Sequence, residues 1–217
     1  CILISLTYHA VDYLDIGPVM AILYCFPIGV AFVSYFRGES KIVLVQWLSM
    51  VGLMIGLYLM LSTGEQVLNL YGLFISFLGL LFFIAFVVTA SNLSAQIGAT
   101  TFNFYVSIFG IILLTVSFIL PFGFEIHLPL TKIGYLAIFA NGIFYIASWV
   151  LFFKGATIIG TTRTSMLSSV EPLFAALLAI ILLKQLLSVI EWIGFFIVLT
   201  AIYTFEKHST KPEAKFS

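Results

Sequence analysis

The sequence predicts an all-α polytopic membrane protein: an inverted-repeat helical bundle of about seven full transmembrane helices, preceded by part of another. Three observations carry this. Only 8% of the 217 residues are charged and 62% are hydrophobic, whereas a soluble domain carries about 25% charged residues to cover its surface. Apolar runs close to the roughly 20 residues that a helix needs to cross the hydrocarbon core recur along the chain. Two rare residues also recur at one spacing, Pro27 twenty residues before Trp47 and Pro172 twenty before Trp192.

Taken in order, residues 1–13 read as the end of a helix, and full spans follow at 16–36, 42–62, 67–90, 98–120, 133–153, 164–183 and 189–205. Each run is continuous rather than alternating, which excludes the strands of a membrane barrel. Helices pair all their backbone groups internally, as lipid requires. The breaks are short polar stretches at 37–41, 63–66, 91–98, 121–132, 155–163 and 184–188. The tail, 206–217, is polar and reads as disordered.

Net charge is zero, so no pull toward nucleic acid is implied; the partners are the lipid bilayer and what crosses it. With the C-terminus in the cytoplasm, Arg37, Lys41, Lys154, Arg163, Lys207, Lys211 and Lys215 fall inside, against Lys132 and Lys184 outside. This satisfies the positive-inside rule for that orientation; the expected location is the cell (inner or plasma) membrane. Cys1 and Cys25 give neither a disulfide framework nor a metal spacing, and Cys25 reads as a small packing residue.

The repeat offset is 145, pairing Pro27 with Pro172, Trp47 with Trp192, Ala31 with Ala176 and Tyr58 with Tyr203. An offset of five helices is odd, so the copies point in opposite directions, as in secondary transporters with a midplane site. Residues 1–62 are the C-terminal part of the first copy and 67–205 the second. The chain starts at Cys1 in hydrophobic sequence without a basic leader, which reads as an N-terminal truncation.

This pattern resembles the drug/metabolite transporter superfamily, specifically the EamA-like ten-helix carriers. The resemblance rests on Pro27, Gly38-Glu39 and Gln46-Trp47 in the first half, and on "SMLSSVEPLFAALLAIILL" with Glu171-Pro172 in the second. Lys184-Gln185 stands where the family often has Gly-Glu. The stretch "HAVDYLDIGPVMAILYCFP" looks like the passage from the third to the fourth helix. The resemblance covers nearly the whole chain as helices three to ten. It implies a permease for amino acids, related solutes or drug-like compounds.

Glu171 is the sharpest feature. A carboxylate at the bilayer centre costs about 2.5–3.5 kcal/mol on insertion scales, so it should face a bundle interior or water. There it could bind and release a proton, or simply hold a kink. Pro172 has no N–H and leaves the carbonyl of Ser168 without its helical partner, and the hydroxyls of Ser168 and Ser169 could serve the freed backbone. The repeat mate of Glu171 is Phe26, so the site is asymmetric. Tyr24 and Pro27 sit at the matching depth in the first half; Tyr24 reads as cavity wall or as packing, the latter favoured. Asn141 is substrate-facing or links two helices. Asn103 and His9 read as structural, Arg163 and Lys154 as topology anchors, and Trp149 as cavity wall or lipid-facing. Gly52 and Gly56, like Ala175 and Ala179, suit close helix packing inside the bundle, with a homodimer the lesser reading.

No Walker loop, HExxH, CxxC or GxSxG occurs, so no catalytic residue, metal or cofactor is assigned. The leading function is a secondary-active transporter of small organic metabolites working by alternating access, coupled to H+ or Na+. The alternatives are a membrane-embedded enzyme, which would want clustered His, Asp or Arg, and a non-transporting assembly subunit.

Overall fold

In the computed structural model the described residues are 2–61, 69–119, 129–184 and 186–209. The first fragment forms α1 (Ile2–Val11). The next run is helical but divided, as α2 (Ile16–Leu23) and α3 (Phe26–Phe36). Then come α4 (Leu44–Leu61), α5 (Leu70–Ile97), α6 (Ala99–Ile119) and α7 (Lys132–Ile159). A second divided run gives α8 (Thr161–Ser168) and α9 (Glu171–Leu183), and α10 (Val189–Lys207) follows. Counting each divided run as one, six spans are long and apolar enough to cross a bilayer, and α6 adds a shorter apolar stretch over Ala99–Leu113. The chain is a polytopic helical membrane protein, with six such spans among the described residues and α6 in the place of the expected span at 98–120. The expected breaks at 63–66 and 121–128, Gln185 of the expected turn, and tail residues 210–217 lie outside the described residues.

Three expected boundaries move. Residues 91–97 and 155–159, read as breaks because they are polar or small, continue α5 and α7. Ser91 and Ser94 are buried against the bundle, and Ser94 Oγ donates to the Ser91 carbonyl at 3.0 Å, so their polarity marks an inward face. The two helices stop at Gly98 and Gly160, both at φ +88, a conformation that favours glycine. The third correction is the tail: α10 runs on to Lys207. There Glu206 pairs with Arg163 of α8 through both carboxylate oxygens. Arg163 therefore ties two helices together.

The repeat is written into the backbone. Adding 145 to the bounds of α2 gives 161–168, which are those of α8. The same shift carries the start of α3 to 171, the start of α9, and α4 to 189–206 against 189–207 for α10. Buried positions follow. On α4 they are Gln46, Ser49, Met50, Leu53, Gly56, Leu57 and Met60. On α10 they are Glu191, Gly194, Phe195, Val198, Ala201, Ile202 and Phe205, each the mate of one on α4. Two helices that present equivalent faces to each other are related by a pseudo-twofold.

Small residues set the α4–α10 crossing. A Cβ on Gly52 would lie 3.7 Å from that of Ala201, and one on Gly56 would come within 2.9 Å of the Gly194 carbonyl oxygen. As the number rises on α4 it falls on α10, so the helices are antiparallel and the copies inverted. This is the packing expected of Gly52 and Gly56 inside the bundle. Ala175, offered in the same role on α9, is exposed instead.

The two helices also start alike. Gln46 Oε1 accepts from the Val43 N–H at 3.0 Å, and its Nε2 donates to Ser209 Oγ at 3.0 Å. At the mate positions Glu191 accepts from the Ser188 N–H at 2.5 Å, while Ser188 Oγ accepts from the Glu191 N–H at 3.3 Å. This reciprocal capping box satisfies two donors that a helix start leaves open. Ser188→Ala is expected to lower stability by about 1 kcal/mol, read as a lower thermal unfolding midpoint in detergent.

Candidate functional site

Both divided spans break at a proline, for one reason. Pro27 and Pro172 carry no N–H, so the carbonyls four residues earlier, Leu23 and Ser168, lose their helical donors. Around each break the backbone bonds span three residues instead of four. Cys25 N–H reaches the Ile22 carbonyl at 3.1 Å and Ile28 N–H the Cys25 carbonyl at 3.0 Å. In the second half Val170 N–H reaches Leu167 at 3.1 Å and Leu173 N–H reaches Val170 at 3.0 Å. These bonds are related by the offset of 145. Both prolines are buried.

The chemistry differs between the breaks. In the first, Cys25 Sγ donates to the Ala21 carbonyl at 3.2 Å; the cysteine is half-buried, as a packing residue should be. In the second, Ser168 Oγ donates to the Ser165 carbonyl at 2.7 Å, which is not the carbonyl that Pro172 frees. Ser169 Oγ makes no such bond. It is buried without a partner among the described residues, as is Ser165 Oγ.

The breaks meet side by side. Tyr24, half-buried at the end of α2, packs on a cluster containing Met166 and Leu173, and its side chain lies beside Glu171. Glu171 opens α9 near the middle of the span Thr161–Leu183 and is exposed at the protein surface. Among the described residues no basic side chain pairs with it: the ion pairs are His9–Asp12, Arg37–Glu39 and Arg163–Glu206. The arrangement is a carboxylate at mid-span, a phenol against it, and backbone carbonyls freed by proline. It can hold a proton or a cation and offer an apolar wall to an organic body.

Of the residues singled out from sequence, the structure brings together Tyr24, Ser168, Glu171 and Pro172, with Pro27 holding the opposing break. Asn141 is exposed on α7 and links no helices among the described residues. Asn103 is structural, its amide donating to the Ala99 carbonyl at 2.9 Å. His9 bonds Asp12 at 3.3 Å at an exposed helix end. Trp149 is half-buried in an aromatic cluster, stacked on Phe153 at 5.5 Å and edge-on to Phe86 at 5.4 Å. Sequence reasoning missed Ser165 and the Arg163–Glu206 pair. It also missed an apolar groove of about 370 Å³ between α5 and α6, walled by Phe82, Phe86, Leu93 and Phe102.

A search of curated proteins gave no match. Residues 70–205, from α5 through most of α10, match the family model described as EamA-like transporter family. That match covers more than half of the chain, so the protein belongs to the EamA-like transporter family, of the drug/metabolite transporter superfamily, and is a multi-pass membrane transporter.

Proposed function

We propose that the chain carries small organic solutes, amino acids or related metabolites or drug-like compounds, by alternating access through the two facing breaks. The observation that carries this reading is Glu171, a mid-span carboxylate without a basic partner among the described residues, set at a proline break beside Tyr24 of the opposite half. A charge at that depth is unfavourable unless it meets water or a counter-charge. A carrier supplies both in turn, as its site opens to either side. The inverted halves give the pseudo-symmetry by which one closed and one open end can exchange. The positive charge that meets Glu171 is a coupling H+ or Na+. The location in this reading is the cell membrane, and the basic residues favour a C-terminus in the cytoplasm.

The test is counterflow in proteoliposomes. Vesicles holding the purified chain and preloaded with an unlabelled amino acid mixture should accumulate a labelled member of it transiently, and protein-free vesicles should not. Equal uptake by both, across a panel of amino acids and hydrophobic amines, would remove the reading.

A further inference from the structure

We propose that the α8–α9 break binds a monovalent alkali-metal cation. Its oxygen ligands would be the Glu171 carboxylate, the hydroxyls of Ser165 and Ser169, and the freed carbonyls of Ser168 and Ser169. This names the coupling ion and rests on the transport reading above.

The first support is the state of the hydroxyls. Several helical Ser and Thr side chains donate to a carbonyl one turn back: Thr7 to Leu3 at 2.9 Å, Ser49 to Val45 at 2.8 Å, Ser76 to Gly72 at 2.8 Å and Thr200 to Phe196 at 2.7 Å. Ser91 of α5 is a lone buried hydroxyl without such a bond among the described residues, whereas the α8–α9 break holds two. Ser165 and Ser169 are each 0% exposed, and their Oγ atoms have no partner among the described residues. A buried hydroxyl left unpaired is unfavourable. The two are four residues apart, hence on one face of α8, and Ser169 stands two residues before Glu171.

The backbone adds further oxygens. Pro172 has no N–H to offer the Ser168 carbonyl, and the Leu173 N–H turns to Val170 at 3.0 Å instead of to Ser169. These carbonyls close the C-terminal end of α8, where the helix dipole favours positive charge. Exposed carbonyls at broken membrane helices are the usual ligands of a transported cation.

The first break acts as an internal comparison. It has matching hydrogen bonds and its own proline, yet the mates of Ser165, Ser169 and Glu171 are Met20, Tyr24 and Phe26. The bend therefore does not require two serines and a carboxylate. Their presence on one side only is a matter of ligand chemistry. A proton would neutralise Glu171 but leave both hydroxyls unpaired. One carboxylate amid neutral oxygens suits a hard ion of single charge, since divalent ions draw more carboxylates or keep their water. Among the described residues no cluster of three His, Cys, Asp or Glu offers a transition-metal site.

The test is thermal unfolding of the purified full chain in detergent, with NaCl raised against N-methylglucamine chloride at constant ionic strength. Na+ should raise the midpoint saturably. Ser165→Ala/Ser169→Ala should need about tenfold more Na+ for the same rise. Glu171→Gln should lose the rise while keeping its Na+-free midpoint near the parent's. An equal response to both salts, or a Na+ rise unchanged in both variants, overturns the proposal. Counterflow without any Na+ effect removes the ion site and leaves the transport reading. A Na+ effect without counterflow of any solute does the reverse.

Discussion

Glu171→Gln is expected to abolish coupled solute accumulation while the chain stays folded and inserted. The side chains match in size, and the carboxylate makes no ion pair among the described residues whose loss would loosen the bundle. What changes is charge. The ionised form carries an insertion penalty of about 2.5–3.5 kcal/mol at the bilayer centre, and an arriving cation or proton relieves it. Glutamine has no such penalty, so the ion no longer gains by binding. A gain of that size is roughly 100-fold in the occupancy of the loaded state. Accumulation driven by an ion gradient should fall by about that factor. Exchange without a gradient should fall less. Uptake by the variant that matches the parent across pH and Na+ would show that Glu171 is structural.

The second large effect is expected at Gly194. A Cβ there would sit 2.6 Å from the Gly56 carbonyl oxygen and 2.8 Å from the Met60 amide nitrogen. Both are backbone atoms of α4, so no side-chain rotation relieves the clash and the helices must part. Gly194→Leu should therefore exceed the usual cost of overpacking, about 1–3 kcal/mol. Besides crowding, it uncovers a face that includes Val198 and Leu53, both 0% exposed. The readout is the unfolding midpoint in mild detergent. Gly52→Ala is the control, because its Cβ would meet Ala201 at an ordinary 3.7 Å. If both variants unfold like the parent, α4 and α10 do not pack as described.

Much of this was legible in the sequence where one rare residue forces geometry. Two prolines with two tryptophans at equal spacing placed both breaks and the offset of 145, and the structure repeats that offset in helix bounds and buried faces. Gly194 was not legible. Its mate is Ser49, and it lacks a second glycine four residues away, so its role shows only when α4 lies across it. The ends of α5 and α7 were misplaced because hydropathy follows side chains, whereas those helices end where the backbone turns at Gly98 and Gly160. At the candidate site Glu171 and Pro172 announced themselves. Ser165 did not, since an orphaned hydroxyl and a satisfied one have the same letter.

The pairing of α4 with α10 also constrains how the protein is made. Five helices separate them in the chain. During synthesis α4 therefore enters the membrane long before its partner exists, with Gln46, Ser49 and Gly56 facing lipid or whatever chaperones the nascent bundle. The contact with the greatest sequence separation is also among the tightest, so assembly closes late, when α10 slides in antiparallel and covers that face. A ribosome stalled before residue 189 would display a bundle with one seam open, and quality control would have a specific polar stripe to recognise.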